Sequence, residues 1–142
     1  RQVGGKMTFP LLSLYHGTKF AVEGFSESLR WELAELGVKI KIVEPGAIAT
    51  DFATRSFDMH HNPELTEYNE FVQNFTEYMQ NSMSRDSIST PDLVAGVIYE
   101  ASTDGKETLR YRAGADAEQL LTAHKTMTDE EFFGMMKAQI NL

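Results

Sequence analysis

The chain has 142 residues, which is enough for one domain with its own core and too short for two ordinary domains. Its 42% hydrophobic and 24% charged residues are typical of a globular protein and exclude disordered, collagen-like and membrane-spanning classes. A net charge of -8 disfavours nucleic acid as a partner, and the absence of cysteine excludes disulfides and thiolate metal sites. We therefore expect a soluble, cytoplasmic protein that binds neither membrane nor nucleic acid.

The first element in chain order is a long helix predicted over residues 13–36. Apolar side chains recur there mostly at spacings of three to five, and Gly37 follows at the position that helices favour for glycine. The apolar positions are Phe20, Phe25, Leu29, Trp31, Leu33 and Leu36. Such a spacing is typical of one apolar helix face.

The next stretch, "VKIKIVEPG", predicts a buried strand over residues 38–44. Val38, Ile40 and Ile42 alternate with other residues, and Val43 extends the apolar run toward full burial. A proline and a glycine then end the strand.

Residues 47–64 mix small, polar and aromatic types without a period, which predicts a long surface loop over a site. The stretch 64–83 predicts an amphipathic helix, because apolar residues recur there every three or four positions. These are Leu65, Tyr68, Phe71, Val72, Phe75, Tyr78 and Met79.

The last third of the chain predicts two more helices and a strand. Thr90 is a candidate N-cap, Pro91 stands in the first turn and Gly105 near the end of one helix. "ETLRYRAGA" predicts a short strand, and Thr128 and Glu131 have the capping-box spacing that opens a final helix. Helices and strands in this order indicate an α/β fold with a parallel sheet covered by helices.

Tyr15 and Lys19 are four residues apart, so a helix places their side chains on the same face within reach of each other. A phenol has an ordinary pKa of about 10, and a close ammonium favours the phenolate. Tyr15 can then exchange a proton with a substrate alcohol or carbonyl, which is general acid–base catalysis. The simpler interpretation is an exposed helix pair that contributes a few tenths of a kcal/mol.

The segment "SLYHGTKFAVEGFSESLRWEL", followed after a strand by "VEPGAIATDF", resembles the short-chain dehydrogenase/reductase family. In that family a catalytic Tyr and Lys open a long helix, and a Pro–Gly turn follows the next strand. The resemblance extends from "VGGKMTFP" to "RYRAGADAEQLL", which is similar to the family's closing strand and turn. It implies the C-terminal half of a Rossmann-like doubly wound parallel sheet with covering helices. Residues 1–142 would be one partial domain, with 47–83 as the substrate lid.

The resemblance also implies an NAD- or NADP-dependent oxidoreductase that interconverts an alcohol and a carbonyl. Tyr15 would donate or accept the proton, while Lys19 would lower its pKa and hold the nicotinamide ribose. The residues expected at the cofactor are Tyr15, Lys19, Pro45, Gly46, Ile48 and Thr50. Ser13 matches a position that lines the substrate site, although a helix N-cap explains it equally well.

The chain departs from the family pattern near its start. The family has a catalytic Ser thirteen residues before the Tyr, where this chain has Gln2. No glycine-rich loop follows a strand, and the first residue is Arg1, so we expect a piece of a longer polypeptide. The alternative is a truncated, non-catalytic family member in which helix 14–36 acts as an interaction or dimerisation module. We also expect a homo-oligomer.

Some side chains near the predicted lid have two interpretations. Apolar residues there either face a bulky apolar substrate or pack on the domain, and packing is the commoner role. They are Phe52, Phe57, Met59, Phe71 and Phe75. His60 and His61 lack a third ligand at metal spacing, so we expect no metal site. His16 is expected to face solvent or an interface.

Overall fold

The computed structural model describes residues 3–52, 55, 60, 62–83 and 88–142. Over these ranges the chain forms five α-helices, two β-strands and short 3-10 turns at Val3–Gly5 and Thr66–Tyr68. The helices are α1 (Ser13–Ala34), α2 (Asn69–Ser82), α3 (Pro91–Thr103), α4 (Ala115–Thr126) and α5 (Asp129–Ile140). The strands are β1 (Ile42–Pro45) and β2 (Arg110–Ala113). None of these helices is both long enough and apolar enough to cross a membrane.

The two strands form a parallel sheet in which Ile42 pairs with Arg110 and Pro45 pairs with Ala113. Helix α3 packs against both strands, and α4 packs against β2. The prediction of an α/β fold with a parallel sheet covered by helices is therefore confirmed.

Strand β1 begins at Ile42, later than the sequence predicts. Just before it, the Lys39 ammonium donates to the carbonyl of Gly105 at 2.7 Å, and the Lys41 ammonium donates to the carbonyl of Lys106 at 2.5 Å. The side chains of Lys39 and Lys41 therefore connect the residues that precede β1 to the residues that precede β2.

Four predicted helix ends are confirmed. Helix α1 begins at Ser13, and Gly37 follows its end in the left-handed region at a φ of 71°. The hydroxyl of Thr90 accepts a hydrogen bond from the N–H of Leu93 at 3.2 Å and caps α3. At α5 both bonds of the predicted capping box are present.

Helix α4 has no counterpart among the sequence-based predictions, which treat its beginning as a closing strand and turn. Gly114, at a φ of 108°, lets the chain turn from β2 directly into this helix. The two buried residues of the helix are Ala117 and Leu121, too few to give a visible apolar period. The distribution of charged residues could have predicted this helix. Acidic residues lie in its first turn, and His124 and Lys125 lie in its last turn.

The main hydrophobic core lies between the N-terminal turn and helices α2, α4 and α5. Phe75 is the buried residue of α2, while Tyr78 and Met79 pack at the edge of the core, as expected for the apolar face of this helix. The buried cluster consists of Val3, Met7, Phe75, Ala117, Leu121, Phe132, Met136 and Ile140. Neither strand contributes to this cluster.

Helix α1 presents its faces differently from the apolar pattern of its sequence. Phe25 is 64% exposed and Trp31 is 81% exposed, whereas His16, Glu23 and Ser26 are buried. The inward face of α1 is therefore polar.

A cluster of charged side chains joins α1 to the sheet. Arg110 lies 3.0 Å from the Glu23 carboxylate and 3.3 Å from the Glu44 carboxylate, and it also pairs with Glu27. Lys6 approaches Glu23 at 3.7 Å. Burial raises the pKa of Glu44, and the negative charge of Glu23 raises it further. Glu23 faces inward because its partners Arg110 and Lys6 lie on that side of α1.

Candidate active site

A cavity of about 470 Å³ opens where β1 ends and α1 begins. The carboxyl end of a parallel strand is the usual ligand-binding edge of an open α/β sheet. Its lining comes from the N-terminal segment, the turn after β1 and the helices α1, α2, α4 and α5. The lining residues are Val3, Gly4, Phe9, Leu12, Tyr15, His16, Gly46, Ala47, Ile48, Thr50, Phe52, Tyr78, Met79, Ser82, Met83, Asp116, Gln119, Leu120, Ala123, Met135 and Gln139.

Tyr15 is half-buried in the wall of this cavity, in the first turn of α1. Its ring packs edge-on against His16 at a centroid distance of 5.6 Å and lies 5.9 Å from the ring of Phe52. The Lys19 ammonium lies over the Tyr15 ring, 5.0 Å from its centroid. The four-residue spacing therefore places the pair together, as one helical turn requires.

The pKa of the Tyr15 phenol is shifted upward from its ordinary value by burial. This direction is opposite to the lowering that the Lys19 ammonium was expected to cause. Burial removes water that would stabilise a phenolate, and the ammonium does not offset that loss. Tyr15 therefore stays protonated at neutral pH, which is the form that donates a proton.

The turn after β1 is held by a residue that the sequence analysis did not select. The Asp116 carboxylate, at the start of α4, accepts a hydrogen bond from the N–H of Ala47 at 2.6 Å. A Cβ added to Gly46 would overlap that same carboxylate. Glycine is therefore required at position 46 for this contact with Asp116. The sequence signal that could have identified Asp116 is an acidic residue in the first turn of a helix.

Ile48 and Thr50 lie beyond this turn, where the chain pairs briefly with the segment before α3. Ile48 forms an isolated parallel bridge with Ser89, and the hydroxyl of Thr50 accepts a hydrogen bond from the N–H of Phe52 at 3.4 Å. Both residues line the cavity, whereas the buried Pro45 ends β1 outside the lining.

His16 does not face solvent or an interface, so that prediction is wrong. Its ring is buried, with Nδ1 at 2.7 Å from the carbonyl oxygen of Gly4 and Nε2 accepting from the N–H of Phe9 at 2.9 Å. The neutral ring with its proton on Nδ1 satisfies both contacts. His16 thereby ties the N-terminal segment of the cavity wall to the helix that carries Tyr15.

Comparison with known proteins agrees with this geometry. A family model described as short chain dehydrogenase matches residues 2–61, which include Tyr15, Lys19 and the turn after β1. The chain belongs to the short-chain dehydrogenase family. The predicted resemblance is therefore confirmed, and with it the Rossmann-like α/β fold class.

Named relatives of the chain are oxidoreductases. An uncharacterized oxidoreductase of Schizosaccharomyces pombe is 37% identical over 140 residues, covering 99% of the chain and 57% of the relative. An oxidoreductase of Botryotinia fuckeliana is 36% identical over 116 residues, covering 81% of the chain and 41% of the relative. Human 17-beta-hydroxysteroid dehydrogenase type 1 is 33% identical over 112 residues, covering 77% of the chain and 34% of the relative. The chain thus spans 57% of the length of the Schizosaccharomyces pombe relative and less than half of the other two.

Ser13 is the first residue of α1 and is exposed, outside the lining of the cavity. The N-cap of α1 is Leu12, without a side-chain bond, so the N-cap interpretation of Ser13 is wrong. A substrate contact by Ser13 stays a prediction, and Gln2 lies outside the described residues.

The apolar candidates near the predicted lid divide between the two roles. Phe52 lines the cavity, whereas Phe75 is buried in the helical core and Phe71 lies outside the lining. Phe57 and Met59 fall outside the described part of the chain. Helix α2 and its C-cap instead present Tyr78, Met79, Ser82 and Met83 to the cavity.

Metal ligands were not expected in this chain. In the described ranges, no group of three or more His, Cys, Asp or Glu side chains is placed to hold a metal ion. His60 belongs to those ranges and His61 does not.

Proposed function

We propose that this protein is an NAD(P)-dependent oxidoreductase that interconverts an alcohol and a carbonyl, with Tyr15 and Lys19 as its acid–base pair. The observation that carries the proposal is that the Tyr15 ring and the turn at Gly46, Ala47 and Ile48 line one cavity. The relatives support the reaction class, since they are named oxidoreductases or dehydrogenases.

The residues proposed to hold NAD or NADP lie around the carboxyl end of β1. They are Tyr15, Lys19, Pro45, Gly46, Ile48 and Thr50. The cavity of about 470 Å³ is of the size that ligand sites have, about 300–1,000 Å³. When bound, the nicotinamide supplies or accepts the hydride. Asp116 fixes the turn that would contact it, through the bond to Ala47.

Tyr15 would carry the proton of the reaction. Its raised pKa keeps the phenol protonated, so Tyr15 can donate to the carbonyl oxygen as negative charge develops there. The Lys19 ammonium, held over the ring, would stabilise the resulting phenolate, and its attraction grows when substrate excludes water from the cavity.

Further assignments belong to the same proposal. Ser13 would contact the substrate from the start of α1. Residues 47–83 would cover the site, since α2 already forms part of its wall. A cytoplasmic location is supported by the absence of cysteine, and a homo-oligomer by the exposed apolar residues of α1.

The test measures cofactor binding and turnover separately in the full-length protein. Titration with NADH and NADPH, followed by nicotinamide fluorescence, should give saturable binding of at least one of them. Tyr15→Phe should keep that binding and lower kcat by about 10²–10⁴-fold, because the ring remains and the proton is lost. Tyr99→Phe, at an exposed position on α3, is the matched control and should leave kcat unchanged. Full activity of Tyr15→Phe would contradict the proposal.

A second candidate function is a non-catalytic interaction module built on α1. The observation that favours it is the exposure of Leu14, Phe25 and Trp31 on that helix, at 88%, 64% and 81%. Trp31→Glu should then lower the oligomer fraction in sedimentation experiments. Saturable cofactor binding with turnover would instead favour the enzyme.

A further inference from the structure

One wall of the cavity is a continuous row of rings that includes the proposed acid–base residue. Phe52 lies 5.9 Å from Tyr15, and Tyr15 lies 5.6 Å from His16, measured between ring centroids. Phe9 follows at 6.1 Å from His16, and Tyr78 lies 6.3 Å from Phe9. An apolar wall therefore leads from the Tyr15 ring to helix α2.

Methionines and aliphatic side chains line other parts of the same cavity. Met79, Met83 and Met135 contribute flexible, polarisable side chains, and Leu120 and Ala123 contribute aliphatic surface from α4. Methionine adapts its shape to irregular apolar partners. This surface gains free energy from covering methylene groups, with little need for one exact substrate shape.

The charged residues that line the cavity indicate the charge of its ligand. Asp116 is the one carboxylate among the described lining residues, and these include neither lysine nor arginine. A carboxylate on the substrate would lose water there without gaining a cation and would be repelled by Asp116. Gln119 and Gln139 instead offer uncharged amides to a neutral polar group.

We infer that the substrate is an uncharged ketone or secondary alcohol with a large apolar body. Its reacting oxygen lies at Tyr15 and its apolar body along the ring wall toward α2. This inference deepens the function proposed above and rests on it. It excludes small polar alcohols and acidic substrates as preferred ligands of the site.

The closing experiment compares three ketones with the full-length protein and the cofactor it binds. 2-Butanone and 2-decanone differ only in chain length, and 2-decanone and 9-oxodecanoate have equal length and differ in the terminal carboxylate. We expect kcat/KM to rise about fourfold for each methylene group that enters the cavity. We expect 9-oxodecanoate to be at least about tenfold poorer than 2-decanone, because its charge must be desolvated without a partner.

A pair of variants locates the effect in this cavity. Gln139→Lys places a cation in its wall and should shift the preference toward 9-oxodecanoate by about fivefold, the strength of one ion pair in water. Gln80→Lys makes the same charge change at an exposed position of α2 outside the lining and should leave the preference unchanged. Equal shifts in both variants would overturn the assignment to this cavity.

Calorimetric binding of 2-decanone and 9-oxodecanoate in the presence of cofactor tests the substrate class separately from the proposed reaction. Turnover of all three ketones without a preference for 2-decanone would overturn the substrate class and leave the proposed function standing. Tighter binding of 2-decanone without turnover of any ketone would support the substrate class and contradict the proposed reaction. Equal or tighter binding of 9-oxodecanoate would overturn the substrate class whatever the turnover.

Discussion

The helical region and the sheet region of this chain are stabilised by different interactions. Helices α2, α4 and α5 share an apolar cluster that includes Phe75 and Phe132. Helix α1 and the two strands instead surround Arg110 with the carboxylates of Glu23 and Glu44, which are both buried. The first region depends on apolar area, and the second depends on a balance of charges.

The cavity lies where these two regions meet, so its function depends on both. Tyr15 belongs to α1, while Tyr78 and Met79 enter the cavity from α2. His16 and Asp116 are bonded across the junction to the N-terminal segment and to the turn after β1. A change in either region can therefore reach the site, through lost apolar area in the helical region and through unbalanced charge in the sheet region.

The largest expected effect is the loss of apolar packing in the helical region. Phe75→Ala removes a ring that is 2% exposed and should lower the free energy of unfolding by about 3–5 kcal/mol. Phe133→Ala, at a position on α5 that is 67% exposed, is the control and should change it by about 0.5 kcal/mol or less. Urea unfolding followed by circular dichroism measures both. Similar losses in the two variants would mean that the core is not where we place it.

In the sheet region the most damaging change should be the removal of the shared cation. Arg110→Met removes the cation that the buried Glu44 pairs with and leaves the buried Glu23 only Lys6, at 3.7 Å, so it should cost about 3–5 kcal/mol in urea unfolding. Arg112→Met is a matched control, because its side chain is as exposed as that of Arg110 but its partner Glu118 is 61% exposed. We expect this variant to lose about 1 kcal/mol or less. Equal losses would show that burial of the partners is unimportant.

A smaller effect is expected at the turn that joins the two regions. Gly46→Ala should cost about 1–3 kcal/mol, because the new methyl group overlaps the Asp116 carboxylate. Asp116→Ala removes the acceptor of the Ala47 N–H and should cost a similar amount, about 1–3 kcal/mol. The double variant should be more stable than the sum predicts by about 0.5–3 kcal/mol. Gly96→Ala, on α3 with nothing close to it, is the control and should not destabilise the protein. Additive losses at Gly46 and Asp116 would disprove their contact.

The smallest effect is a difference in pH dependence between two carboxylates that share Arg110. Burial raises the pKa of Glu44 above 4.5, so its stabilising contribution is present at lower pH and is lost as the pH rises through the folded-state pKa. A hydrogen bond from Arg110 lowers the pKa of Glu27, so its contribution is present above 4.5 and is lost as the pH falls.

Glu44→Gln should therefore gain stability relative to the unmodified protein as the pH rises above 4.5, whereas Glu27→Gln should lose it as the pH rises toward 4.5 from below. Urea unfolding at several pH values measures the two slopes. Slopes of the same sign would contradict the difference in environment between the two carboxylates.

The sequence predicts the local features of this protein well. The caps at Thr90 and Thr128 and the Tyr15–Lys19 pair depend on residues three or four positions apart, and the structure shows each of these arrangements. The parallel sheet was also predicted, since the order of helices and strands indicates it. Helix α4 was missed because only two of its residues are buried.

From local spacing alone we predicted both strands, every described helix except α4, and the two side chains that one helical turn brings together. Folding decided that α1 buries Glu23 and exposes Trp31, because the cations Arg110 and Lys6 that pair with Glu23 are distant from it in the chain. It also decided that Asp116 faces Gly46 and that burial raises the pKa of Tyr15. Local spacing fixes which neighbours share a helix face, whereas desolvation and charge partners depend on residues that only folding brings near.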